Sequence, residues 1–236
     1  MAIESELKRA QELADAHRPH AAISVAQEAL DSWHEPEDRA SEERSAAFQL
    51  ARLVVNLHRE TSADARSLER ATSRAIELGD CDSPELVRGL RRVRAAALVE
   101  LGANVEAARE LTAVAEELLS NEAGSSQAAA AVIEAANALV DAKNFGGALR
   151  LVGRVAQTGS GVHPFTTIGL AVCEGRARLA LGEPALAAEA FGRALDSVER
   201  FGSRLLRAAE IRAYLDACQL IAAAASSCSK PSPKPE

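Results

Sequence analysis

The sequence is poor in aromatic residues and lacks any long uncharged apolar segment. Only 3% of its 236 residues are aromatic, with one Trp and one Tyr. No apolar run reaches the roughly 18–20 residues that span a bilayer, and the acidic first residues differ from the basic start of a secretory signal peptide. We therefore expect a cytoplasmic protein that does not contact a membrane.

The four cysteines show no metal-binding or disulfide pattern. Cys81, Cys173, Cys218 and Cys228 include no pair at CxxC spacing, so neither a structural zinc site nor a disulfide framework is indicated. Cys173 and Cys218 lie in apolar stretches, which predicts inert residues of the core. The net charge of −7 argues against a general nucleic-acid binder. We expect no cofactor, no metal and no direct contact with nucleic acid.

Catalytic motifs are missing as well: the sequence has no phosphate-binding loop, nucleophile elbow or metalloprotease motif. Residues 33–38 include a histidine and three acids, but adjacent loop residues rarely converge on one metal ion, and the acids suit the start of a following helix. His17 and His20 flank a turn, and His58 is expected to be partly charged near a helix end. Residues 159–161 form a flexible Gly-Ser-Gly turn. We therefore expect no enzymatic activity.

Almost the whole chain has the apolar periodicity of helices, with apolar residues recurring every three or four positions. Ten breaks interrupt this pattern, and each contains Gly, Pro, Asn, Asp or Ser, which end helices or cap new ones. They lie near residues 17–19, 34–38, 60–63, 79–83, 101–104, 121–126, 143–147, 158–164, 181–184 and 201–203. The breaks predict eleven helices, arranged as five helical hairpins and a C-terminal capping helix over about 204–225.

The second helix of each hairpin has a recurring pattern of side-chain size. A small residue is followed four positions later by a larger one, and seven positions later by another small or branched one. The last of these positions is occupied by Ala75, Val114, Val155 and Ala194, at spacings of 39, 41 and 39 residues. Small side chains allow two helices to cross closely, and a fixed repeat of this length indicates an α-solenoid of stacked hairpins.

The clearest copy contains Gly175, Gly182, Ala187, Phe191 and Ala194, and it resembles the tetratricopeptide repeat family. The resemblance implies a small residue in the first helix, a glycine in the turn, and Ala, Phe and Ala in the second helix. The repeats are near 40 residues long, whereas the family's are ~34. Arg, Ala and Val replace most of the family's large residues early in the first helix.

Long repeats rich in Ala and Arg are similar to those of large bacterial LuxR-type transcription regulators. Lysine occurs only at positions 8, 143, 230 and 234, so that nearly all basic residues are Arg, which is typical of a GC-rich bacterial genome. The resemblance covers residues 1–225, which we expect to form one repeat domain. Residues 226–236 lack apolar content, which predicts a disordered tail.

The resemblance also implies that the first helices line a concave groove that binds a peptide. The nine positions equivalent to the family's groove residues are Lys8, Gln11, Arg92, Glu100, Asn137, Asp141, Arg176, Arg212 and Asp216. Arg offers a planar set of donors that can bind a carboxylate, and Asn can bind a peptide backbone. These residue types predict a protein or peptide partner that is acidic or presents a C-terminal carboxylate.

Two functions are consistent with these features. The first is a non-enzymatic interaction module that binds a peptide or a partner protein in the groove. The alternative is a regulatory or sensing repeat domain of a bacterial transcription or signalling system, with a small ligand in the groove. The sequence leaves open whether copies of the chain assemble into a homo-oligomer.

Overall fold

The computed structural model describes residues 3–33, 42–79, 83–122, 124–157, 164–200 and 208–228, and all regular structure in these ranges is α-helical. The helices are α1 (Ile3–Asp15), α2 (Pro19–Ser32), α3 (Glu42–Glu60), α4 (Ala65–Leu78), α5 (Pro84–Glu100), α6 (Asn104–Asn121), α7 (Ser126–Asp141), α8 (Phe145–Gln157), α9 (Pro164–Ala180), α10 (Pro184–Arg200) and α11 (Ala208–Cys228). The described part of the chain thus confirms the predicted all-α class and the predicted succession of helices. None of these helices is both long and apolar enough to cross a membrane.

The chain forms two compact units, residues 1–110 and 111–236. In the first unit α1 packs on α2 and α3 packs on α4, while α1 and α3 lie side by side. In the second unit α7 packs on α8 and α9 on α10, while α7 and α9 lie side by side and α11 packs on α10. Within each unit the hairpins are therefore stacked, which is the α-solenoid arrangement that the sequence predicts.

The last helix is longer than expected. Helix α11 ends at Cys228, so it includes the first three residues of the segment 226–236 that we expect to be a disordered tail. Serine is tolerated in a helix and the first proline comes only at position 231, so nothing in the sequence stops the helix at 225. Residues 229–236 lie outside the described ranges. A single repeat domain over residues 1–225 stays a prediction.

Small residues lie where helices cross, as the repeat pattern predicts. Ala187, Phe191 and Ala194 on α10 are fully buried, and the core of the second unit forms around them. On the neighbouring helix α9, a Cβ atom added to Gly175 would lie 2.6 Å from Cε1 of Phe191. This distance is well below van der Waals contact, so α9 can approach the Phe191 ring only with glycine at position 175.

Each turn from the first to the second helix of a hairpin contains one residue with positive φ. The values are 54° for His17, 50° for Ser62, 75° for Gly102, 60° for Lys143 and 76° for Gly182. After each of these residues, the next backbone N–H donates to a carbonyl five residues earlier, at 2.7–3.0 Å. This is the Schellman arrangement that ends a helix and satisfies its free carbonyls. The same turn is therefore built five times, although only two of the five residues are glycines.

Replacing Lys143 with Gly is expected to raise the free energy of unfolding by about 0.5 kcal/mol. A left-handed conformation costs an L-residue roughly 1–2 kcal/mol, of which the greater freedom of glycine in the unfolded chain cancels a part. Lys143 is exposed, so little packing is lost. The converse substitution Gly182→Ala is expected to lower the free energy of unfolding by about 1 kcal/mol. Urea denaturation measures both, and a stabilising effect of Gly182→Ala would contradict the explanation.

Candidate functional site

Three of the residues predicted to line the groove are hydrogen-bonded to one another in the second unit. Asn137 and Asp141 lie one turn apart on α7, and Arg176 lies on the adjacent helix α9. The Arg176 guanidinium donates from Nη1 to Oδ1 of Asn137 at 2.7 Å and from Nη2 to Oδ1 of Asp141 at 2.8 Å. The Asp141 side chain is 55% exposed and that of Arg176 is 26% exposed. The cluster is therefore accessible to a ligand.

These contacts determine which atoms of the cluster can bind a ligand. Because Oδ1 of Asn137 accepts from Arg176, the amide is oriented with its Nδ2 group as the remaining donor. Asp141 retains acceptor capacity on its second carboxylate oxygen, since an ionised carboxylate has about four lone-pair positions. The positive charge of Arg176 is balanced by Asp141. The cluster thus offers one amide donor and one carboxylate acceptor with no net charge.

The remaining predicted groove residues lie outside this cluster. On α11, Arg212 lies 3.5 Å from Oε1 of Glu199 on α10, and Asp216 is exposed. Lys8 and Gln11 are exposed on α1, and on α5 Arg92 is half-buried and Glu100 is exposed; all four belong to the first unit. The contribution of these six residues to a binding groove stays a prediction.

His58 differs from its expected state. We expect a partly charged imidazole near the end of a helix, but His58 is only 8% exposed on the buried face of α3. Neither ring nitrogen has a hydrogen-bond partner among the described residues. Burial lowers the pKa of His58, an effect that Asp64 opposes and His20 adds to. The expectation of charge is therefore wrong, because the apolar stripe of α3 places this position in the core.

The burial of His58 predicts that stability depends on pH. Its folded-state pKa is below the unfolded value, so the unfolded chain binds more protons and stability falls as the pH drops below about 6.5. The loss from one such group is at most about 1.4 kcal/mol per pH unit. We expect His58→Leu to flatten this dependence in thermal denaturation between about pH 7.5 and 5.5. If the variant shows the unchanged slope of the native protein, another group is responsible.

The other residues singled out by the sequence form no metal site among the described residues. Cys173 and Cys218 are buried, which confirms their predicted place in the core, and burial raises the pKa of the Cys218 thiol. Across the described ranges no three His, Cys, Asp or Glu side chains gather as metal ligands. The segments 34–38 and 159–161 lie outside the described residues.

No protein-family model matches the sequence, and no curated protein matches it. In structure, the chain is similar to YrrB, a tetratricopeptide repeat protein, with 16% identity, a TM-score of 0.54, and coverage of 81% of this chain and 84% of YrrB. BtubC from P. vanneervenii matches over 100% of this chain and 96% of its own, with 16% identity and a TM-score of 0.43. A tetratricopeptide repeat protein from Parabacteroides merdae matches over 92% and 99%, with 12% identity and a TM-score of 0.35. The likeness to YrrB, together with the stacked hairpins and their repeated turn, confirms that this chain has a tetratricopeptide-repeat fold.

Proposed function

We propose that this chain is a non-enzymatic interaction module that binds an extended peptide segment of a partner protein. The observation that carries the proposal is the Arg176 contact that orients Asn137, because an oriented amide is a ready donor for a peptide carbonyl. YrrB is a tetratricopeptide repeat protein with an unusual peptide-binding site, and its fold is shared by this chain. The likeness supports the class of function and leaves the partner to be found.

The spacing of the donor and the acceptor on α7 matches an extended backbone. Asn137 and Asp141 are four residues apart, which separates them by about 6 Å along the helix axis. In an extended peptide, every second residue repeats at about 6.6 Å. A peptide running along α7 can therefore accept a hydrogen bond from Nδ2 of Asn137 and donate a backbone N–H to Asp141. This mode recognises the backbone and tolerates different side chains.

The ion pair between Arg176 and Asp141 affects whether this cluster can bind the acidic partner that the sequence predicts. To bind a ligand carboxylate, Arg176 would have to release Asp141 and leave that carboxylate without its ion pair. The exchange replaces one charge-assisted contact with another and brings little net free energy. We therefore propose that Arg176 acts by positioning Asn137 and Asp141, and that partner binding at this cluster does not depend on an acidic side chain.

Substituting Asn137 tests the proposal. A phage-displayed library of random peptides is selected on the native protein, and the affinities of the selected peptides are measured by fluorescence anisotropy. Asn137→Ala is expected to weaken binding about threefold to tenfold, the effect of losing one net hydrogen bond. Circular dichroism should show unchanged helix content, since Asn137 is only half-buried.

Gln127→Ala is the matched control, because Gln127 is an exposed amide in the first turn of the same helix. It should leave the affinity unchanged. If every selected peptide binds the Asn137→Ala variant as tightly as the native protein, peptide binding at this cluster is rejected while the fold assignment stands.

A further inference from the structure

A cleft of about 360 Å³ lies in the first unit between the second helices of two consecutive hairpins, α2 and α4. Its apolar lining consists of Ala51 and Val54 on α3 and Leu30 on α2, all of them buried. The polar residues are on opposite walls, with Gln27 and Asp31 on α2 and Arg70 and Arg74 on α4. The two arginines are four residues apart, so both lie on the same face of α4.

A second cleft, of about 220 Å³, lies in the other unit between α6 and α8. Its polar walls carry Thr112 and Glu116 on α6 and Arg150 and Arg154 on α8. Asn144, in the turn before α8, also lines this cleft. The other four polar residues repeat those of the first cleft: an uncharged hydrogen-bonding side chain, an acid four residues later, and two arginines four residues apart on the facing helix.

The repeat register shows that the two sets of residues are equivalent. Arg70 and Arg150 are each the sixth residue of their helices, and Arg74 and Arg154 are each the tenth. The intervening second helix, α6, has Arg109 as its sixth residue but alanine as its tenth. The complete set thus recurs two repeats apart, and this regular spacing is the signal by which the sequence alone could have indicated it.

The walls of α2 and α6 correspond in the same way. The buried positions Ala29 and Val114 are equivalent in the repeat pattern and are both at most 9% exposed. Gln27 and Thr112 each come two residues before that position, and Asp31 and Glu116 each come two residues after it. These four polar positions therefore match in register between the two clefts.

The tenth-residue arginines already have partners, and the sixth-residue arginines do not. Arg74 pairs with Glu77 at 3.2 Å, and Arg154 pairs with Glu116. Arg70 and Arg150 form neither an ion pair nor a hydrogen bond with another described residue. In the second cleft, Oγ1 of Thr112 is also buried with no hydrogen-bond partner among the described residues. Each cleft thus holds a guanidinium that can bind an anion.

We propose that each cleft binds one carboxylate of an acidic peptide. Glu77 pairs with Arg74 and Glu116 pairs with Arg154, so the guanidinium left for a ligand in each cleft is that of Arg70 or Arg150, whose single charge one carboxylate neutralises. A phosphate, with about two negative charges at pH 7, would exceed the charge of that one guanidinium. The planar donors of Arg70 or Arg150 suit a carboxylate, and Gln27 or Thr112 can donate a further hydrogen bond.

This inference is independent of the proposed peptide-binding function of Asn137 and Arg176. That cluster lies on first helices of hairpins and its arginine is internally neutralised, whereas the clefts lie between second helices and contain unpaired arginines. The sequence predicts that the groove prefers an acidic partner, and we therefore assign this preference to the clefts.

Binding of a fluorescently labelled hexaglutamate peptide, measured by anisotropy at low ionic strength, tests the proposal, with hexaglutamine as the uncharged control. The double variant that combines Arg70→Gln with Arg150→Gln removes the unpaired guanidinium from both clefts and is expected to weaken hexaglutamate binding about fivefold, as expected for the loss of one partly exposed charge pair at each site. Arg109→Gln is the matched control, because it removes the same charge at the same register position of α6. It should change the affinity by less than about twofold.

Four outcomes would overturn the proposal. Hexaglutamate could bind no better than hexaglutamine, or Arg109→Gln could weaken binding as much as the double cleft variant does, which would indicate only a general attraction of charges. Binding could be lost in Asn137→Ala and kept in the double cleft variant, which would place the acidic peptide at the groove cluster. Finally, a peptide of phosphoserines could bind more tightly than hexaglutamate through the same two arginines, which would replace the carboxylate by a phosphate.

Discussion

Replacing Phe191 with Ala is expected to lower the free energy of unfolding by about 3–5 kcal/mol, the range observed for removing a buried aromatic ring. The Phe191 side chain is completely buried between α9 and α11. It contacts the Gly175 backbone on one side, and its ring stacks on Tyr214 with the centroids 5.1 Å apart and the planes inclined by 7°. The substitution leaves a cavity that three helices would have to collapse to fill.

Urea denaturation followed by circular dichroism measures this loss, and Phe165→Ala provides a control of the same chemistry. Phe165 is 52% exposed near the start of α9, so removing its ring should cost less than about 1 kcal/mol. The two variants differ only in the burial of the ring that is removed. If they lose equal stability, Phe191 does not have the central packing role that the repeat assigns to it.

The role of Phe191 could be predicted from the sequence because size and spacing determine it. A large residue between two small ones, at the positions of Ala187 and Ala194, is required wherever one hairpin packs on the next. The ten helix breaks could be predicted for a related reason. Gly, Pro, Asn, Asp and Ser affect the backbone locally, so a helix end depends on residues within a few positions of it.

The side-chain partners could not be predicted from spacing. Sequence position brings Asn137 and Arg176 to equivalent places on neighbouring helices, but only the structure shows that they bind one another. Likewise, the position of His58 near a helix end suggests charge, although the helix face it occupies is buried. A partner that is 39 residues away depends on how two helices rotate against each other, and no local pattern contains that rotation.

Arginine replaces some of the family's large residues early in the first helices. Arg44 shows a physical reason for this replacement. Arg44 lies in the first turn of α3 and is only 6% exposed. Its guanidinium donates from Nε to the carbonyl of Leu78 at 3.3 Å and from Nη2 to that of Glu77 at 3.2 Å. The Gly79 N–H donates hydrogen bonds to the carbonyls of Ala75 and Ile76. All four terminal carbonyls of α4 are thus satisfied.

Substituting Arg44 with Met should therefore lower the free energy of unfolding by about 2–3 kcal/mol, the order of magnitude for hydrogen bonds from a charged donor. Methionine keeps much of the apolar volume of the arginine side chain. The loss of stability therefore measures the two hydrogen bonds to the carbonyls together with the favourable position of a cation at a helix C-terminus. Leu78 is 4% exposed, so water cannot readily replace the arginine at its carbonyl.

Arg44→Lys separates the two contributions, because it keeps the charge and loses the two-pronged geometry of the guanidinium. Urea denaturation should place its stability between those of the native protein and Arg44→Met. If Arg44→Met is as stable as the native protein, the buried arginine contributes only by filling space, as the family's large apolar residue does. If it is less stable, a polar cap stands in this chain where the family has an apolar contact, and it joins the two helices of one hairpin.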